Sequence, residues 1–215
     1  MAYYEMIGRI SVSYDAVCTK YTSINDTKNI FHGKVFLMRP KPDTTDGFYF
    51  WISQSDTTYF FSDMLHTYGT NKKRNVSTIY DAYYFMTHWM VGSSMIGELV
   101  WSSFATPIKI KEKIDTSVKL ESKADTVFDG IDCYRVLVKY PDNIETSEHE
   151  LTMYFNKIDY APFYLVSKIK HGNIFYFADV YFKNYTFGNV DYSRFSAEQI
   201  PKNYKVSIHN PALDK

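Results

Sequence analysis

The sequence predicts a mainly β (α+β) protein, built as a curved antiparallel sheet that helices interrupt once. Three observations predict it. Short apolar runs follow one another along most of the 215 residues, with turn residues between them. Twenty Tyr, 16 Phe and 3 Trp make the chain 18% aromatic, more than a core of this size takes up, and such residues favour strands. One stretch alone, about residues 77–104, changes to helical spacing.

The elements follow in order. Residues from about Tyr4 to Tyr21 read as a long first strand, with Ile10, Val12 and Tyr14 on one face. Ser23-Ile24-Asn25-Asp26 reads as a turn. Phe31 to Met38 form the second strand, apolar on both faces through Val35, Phe36, Leu37 and Met38, and Pro40-Lys41-Pro42-Asp43 stops it. Arg39 ends that run with five donors to satisfy. It either snorkels into water or donates inside the fold, and the residues by themselves favour snorkelling. Asp46-Gly47 opens the next apolar run, Phe48 to Ile52, followed by strands at Thr58–Phe61 and Leu65–Thr70.

From Ser77 the turn signals stop. Tyr80, Tyr83, Tyr84 and Met90 recur at three- and four-residue steps, and Phe85 and Trp89 widen that stripe. Ser77 or Thr78 is the expected N-cap, with Asp81 in the first turn. Val91-Gly92-Ser93-Ser94 breaks the helix, Met95, Ile96, Leu99 and Val100 carry a second one, and Pro107 closes the segment. Strands then resume through Val118–Leu120, Val127-Phe128, Ile131–Tyr140, Leu151–Phe155, Phe163–Ile169 and Ile174–Phe187. Asp129-Gly130 and His171-Gly172-Asn173 form turns between them. No repeat or linker divides the chain, so residues 1–215 read as one domain.

Composition excludes several classes. The chain is 45% hydrophobic and 22% charged with a formal net charge of zero, which excludes a disordered chain and gives no general attraction for nucleic acid. Lys72-Lys73-Arg74 is the single basic cluster and reads as a solvated hairpin tip. Cys18 and Cys133 form no C-x-x-C motif and suggest no zinc site. A disulfide between them and two unpaired strand cysteines both remain open, the second being favoured. No run of 18 apolar residues is present. No signal peptide opens the chain, so a targeting segment is expected to have been removed.

A meander, a two-helix insertion rich in Tyr, Trp and Met, and a second meander resemble the LolA/LolB-like lipoprotein-carrier superfamily of bacterial envelopes. The strand ending Gly33…Arg39-Pro40 is similar to that superfamily's strand ending in Arg-Pro. The helical pair falls where its lid helices are inserted. Val190-Asp191-Tyr192-Ser193-Arg194-Phe195-Ser196, followed by Pro201-Lys202-Asn203-Tyr204-Lys205-Val206, resembles its closing pattern. The resemblance implies an unclosed half-barrel under a helical lid, with a hydrophobic cavity between them. It also implies that Arg39 donates to lid carbonyls, and that the protein is periplasmic or outer-membrane associated. Uncharacterised envelope proteins of Bacteroides-like bacteria look most similar. In these such a domain often precedes a thioredoxin-like domain, so the chain is expected to be a fragment.

The resemblance thus implies a non-catalytic binding protein that holds a lipid, an acyl chain or an acylated protein. Tyr80, Tyr84, Phe85, Trp89, Met95 and Leu99 are expected on the lid side. Phe36, Phe48, Phe50, Ile52 and Phe61 are expected on the sheet side, without a reading of which alternate face lines the cavity. Aromatic and Met side chains suit such cargo because they offer area without fixed hydrogen-bond demands. The same stripe at helical spacing is equally the signature of an ordinary core. An alternative is a protein-interaction or sensory domain, which regulates an attached thioredoxin-like domain and binds an envelope protein. No catalytic residue, cofactor or metal is expected: His32, His66, His88, His149, His171 and His209 show no metal-binding spacing, and neither G-x-S-x-G nor a phosphate loop occurs.

Overall fold

The structure, a computed structural model, describes residues 11–38, 49–53, 55–85, 119–140, 142, 146–188 and 190–210. Among these residues twelve strands form one open, curved sheet. They are β1 (Ser11–Thr22), β2 (Asn25–Met38), β3 (Tyr49–Ser53), β4 (Thr58–Ser62), β5 (His66–Asn71), β6 (Val76–Asp81), β7 (Lys119–Phe128), β8 (Ile131–Lys139), β9 (Thr146–Asn156), β10 (Pro162–His171), β11 (Ile174–Phe187) and β12 (Lys205–Ile208). Their spatial order is β12-β6-β5-β4-β3-β2-β1-β11-β10-β9-β8-β7. Every pairing is antiparallel except β12 on β6.

Two meanders therefore meet in the middle, where β11 pairs β1 from Val12–Phe187 to Thr22–Tyr176. The β7–β8 turn is Asp129-Gly130 as expected, with φ of 51° and 74°, the left-handed geometry that a two-residue hairpin needs. A register shift between Ser13 and Asp15 on the β1–β11 pair, and others on β7–β8 and β9–β10, add the local bend that curls a long sheet. Among the described residues most observed strands overlap the expected ones, but β7 runs unbroken where two short strands are expected, and β12 is not expected. The second strand starts early, at Asn25, because the first turn needs only Ser23-Ile24.

One correction concerns the helical segment. Val76–Asp81 is strand β6, not the start of a helix, and Ser77 is paired with Thr70 on β5. The stripe of Tyr80, Tyr84 and Phe85 arises from a strand end plus one helical turn, α1 (Ala82–Phe85). Asp81, not Ser77 or Thr78, caps it: the Tyr84 N–H donates to Asp81 Oδ1 at 2.8 Å. Backbone pairing with β5 outweighed the helical periodicity of the side chains. The expected remainder of the helical pair, including Trp89, Met95 and Leu99, lies outside the described residues. So do Arg39 and Phe48.

Strand alternation divides the sheet into two faces. On the inner face one continuous core holds Val12, Tyr14, Ala16 and Cys18 of β1, Val35 and Leu37 of β2, and Phe50 and Ile52 of β3. It continues through Ala178, Val180 and Phe182 of β11 to Leu165 of β10 and Met153 of β9. A shared core across six strands is what a sheet curving around that face produces. On the outer face a separate cluster of Tyr59, Phe61 and Tyr68 packs with Trp51, Ile79 and Ile200.

Ile200 belongs to the segment that leaves β11 and crosses the outer face to reach the far edge. Two 3₁₀ turns shape that crossing, Tyr192–Phe195 and Ala197–Gln199, capped by the Asp191 and Ser196 side chains. Phe195 is buried against Tyr49, Tyr192 donates its hydroxyl to Tyr49, and the Arg194 guanidinium lies 4.3 Å from the Phe36 ring centre. The segment ends as β12, begun by the Lys205 N–H donating to Asn75 O. Cys18 and Cys133 are both buried, and no disulfide joins them.

Candidate functional site

Phe85 is the centre of the inner-face site. Capping by Asp81 turns the chain over the sheet as soon as β6 ends, and the fully buried Phe85 ring comes down on three strands. It sits 6.1 Å from Phe50, 5.5 Å from Phe60 and 5.4 Å from Tyr80, between ring centres. Gly69 makes this possible. A Cβ there would stand 2.8 Å from Phe60 Cε1 and 3.1 Å from Tyr80 Cε2, so the missing side chain is the space these rings occupy. His209, just past β12, stacks on Tyr80 at 4.7 Å and on Tyr84 at 5.2 Å, which fastens the chain end to the same cluster.

The polar content of this site is small. Ser62 and Thr67 lie in the same cross-strand row as Phe50 and Tyr80. The Ser62 hydroxyl donates to His66 O at 2.9 Å. Among the described residues Thr67 Oγ1 has no hydrogen-bond partner, and the residue is 0% exposed. An orphan hydroxyl in a dry site costs about 1–3 kcal/mol. Further along the inner face, Tyr185 donates to Pro162 O at 2.7 Å, and burial pushes its phenol well above the usual tyrosine value. Among the described residues no cluster of three or more His, Cys, Asp or Glu side chains could hold a metal ion. No helix among them is long and apolar enough to cross a membrane.

The structure brings together Phe50, Ile52, Tyr80 and Phe85 on the inner face, with Tyr84 at its margin. It separates Phe36 and Phe61 from them. Phe36 pairs Trp51 and Trp51 pairs Phe61 across β2, β3 and β4, and all three belong to the outer face. Tyr80 is a sheet residue rather than a lid residue. Sequence reading missed Phe60, Thr67 and Gly69. Gly69 carried a usable signal, since a glycine inside a strand marks a close approach. Phe60 and Thr67 carried none, because a strand apolar on both faces does not say which face is lined.

No family model and no curated protein matches the chain. Solved structures do resemble it. An uncharacterized conserved protein from Thermus thermophilus superposes with a TM-score of 0.52 at 10% identity, over 96% of this chain and 95% of that one. That likeness extends to the fold alone. Also similar are a DUF1329 family protein from Desulfovibrio piger, at TM-score 0.46 and 10% identity over 93% of this chain and 98% of that one, and a LolA superfamily protein from Nitrosomonas europaea, at TM-score 0.42 and 7% identity over 92% and 97%. The last of these carries the name of the superfamily that the sequence resembles.

Proposed function

We propose that the protein is an envelope binding protein that holds an acyl chain, free or on a lipoprotein, against the inner face of the sheet. The observation that supports this reading is the continuous buried apolar cluster from β3 across β1 to β9, which Phe85 joins at the point where the chain leaves the sheet. Trp89, Met95 and Leu99, which lie outside the described residues, are proposed as further cargo contacts on the resemblance of the sequence alone. Each methylene moved from water into such a site contributes about 0.8 kcal/mol. Thr67 Oγ1 is the polar handle: its free hydroxyl donates to the ester or amide carbonyl at the head of the chain.

Native mass spectrometry of protein purified without detergent, followed by solvent extraction, tests this. A stoichiometric acyl-containing adduct is expected. A clean apo mass with no uptake of offered lipid overturns the reading and favours a protein-interaction domain.

A further inference from the structure

The strand directions gather several cationic turns at one end of the sheet. Turns at the end where β1 finishes include the β5–β6 turn with Lys72, Lys73 and Arg74, the β1–β2 turn leading to Lys28, and the β10–β11 turn flanked by Lys168 and Lys170. Turns at the opposite end carry Asp63, Asp81, Asp129, Asp132, Asp159 and Asp191, with Lys157 against them. The acidic end has a local explanation. Asp63, Asp81, Asp159 and Asp191 each accept a backbone N–H in their own turn, which is ordinary turn chemistry. The basic end has none, because lysine and arginine carry no acceptor with which to cap a turn. Carboxylates share this end: Asp26 beside the β1–β2 turn, Asp56, Asp142, Glu150 and Glu148, the last bonded to Lys168 and Lys170 at 3.4 and 2.8 Å.

Apolar side chains stand among these cations. Ile24 at the tip of the β1–β2 turn is 73% exposed, and Tyr176, paired with Thr22 beside it, is 41% exposed. The tip is tied to its neighbour, since the Ser23 N–H donates to Phe175 O and the Phe175 N–H to Ser23 Oγ. Lysine stems lie along rings: Lys28 over Tyr21, Lys168 and Lys170 over Phe175, Lys72 over Tyr59. The β1–β2 and β5–β6 turns are four strand spacings apart in the sheet order and are also offset along the strands: Gly69 is level with Tyr14 through Phe60, Ile52 and Val35, so β1 runs about six residues further than β5.

We propose that this basic end docks the protein on an anionic lipid surface, with Ile24 and Tyr176 entering the headgroup region. Basic side chains near such a surface gain from its potential, and an aliphatic tip beside a tyrosine matches the layering of the interface. A soluble polyanion would satisfy the lysines and leave Ile24 in water, so the bilayer is the occupant that uses both features. The proposal does not depend on cargo on the inner face.

Delipidated protein floated with phosphatidylcholine vesicles containing about one-third phosphatidylglycerol tests it. Binding is expected to exceed that to pure phosphatidylcholine and to fall between about 50 and about 500 mM NaCl. The combined Lys72→Glu, Lys73→Glu and Arg74→Glu variant lowers partition by at least about tenfold. Ile24→Ser lowers what remains at high salt, and circular dichroism of both exposed-turn variants stays unchanged. Equal binding to both vesicles, no binding, or binding indifferent to the charge reversal overturns the proposal. So does an unaffected Ile24→Ser variant whose vesicle binding heparin abolishes, which identifies a soluble polyanion instead.

Discussion

The two faces of the β2–β6 half of the sheet are both aromatic, yet they are finished differently. The outer face is closed by the chain's own crossing segment and its polar groups are matched. Tyr68 donates to Asp63, Tyr192 to Tyr49, and the Thr70 and Ser77 hydroxyls bond each other. The inner face gathers Phe50, Phe60, Tyr80 and Phe85 over a glycine and leaves the Thr67 hydroxyl unmatched. A surface whose hydrogen bonds are complete is a clasp. One whose glycine is filled by neighbouring rings and whose buried hydroxyl lacks a partner among the described residues is where we propose that cargo is held.

Replacing the anchor of each face separates the two roles. Phe195→Ala empties the outer clasp and is expected to cost about 3–5 kcal/mol of stability, read by denaturant unfolding, while acyl retention per folded molecule stays unchanged. Loss of retention in step with stability would show that the faces act as one. Gly69→Val does the reverse. The new side chain meets Phe60 and Tyr80, costs about 1–3 kcal/mol, and abolishes acyl uptake by the protein that remains folded. Uptake at the wild-type level would remove these rings from the cargo site.

Alkali is expected to release the outer face first. Tyr49 is pushed up to about 12 by its hydrogen bond with Tyr192 and then by burial, and Tyr68 to about 12 by burial and then by its bond to Asp63. Phenols raised from 10.0 contribute stability that is complete below pH 10 and lost as pH rises through about 12. Near-ultraviolet circular dichroism should therefore change together with tyrosinate absorbance in that window. In Tyr192→Phe the Tyr49 contribution moves to lower pH. The smallest effect belongs to Thr67→Val. It removes the orphan hydroxyl and is expected to stabilise delipidated protein by about 1 kcal/mol, while shortening retention of ester-bearing lipid relative to a plain alkyl chain. Stability unchanged or lowered would place a partner on Thr67 in the empty protein.

The sequence by itself determined most of the strands, several of the turns and the class. Period-2 spacing, Asp129-Gly130 and the length of Ile174–Phe187 are local signals, and local sterics read them the same way in the folded chain. Tertiary structure alone decided three things. Helical spacing from Ser77 yielded to strand β6, because ladder hydrogen bonds to β5 satisfy the backbone where side-chain periodicity does not. Phe36 and Phe61 parted from Phe50 and Ile52, because a strand apolar on both faces leaves its orientation to whichever partner covers each side. Lys72, Lys73 and Arg74 joined Lys168 and Lys170 at one end of the molecule, because strand direction, which depends on every pairing before it, sets where a turn points.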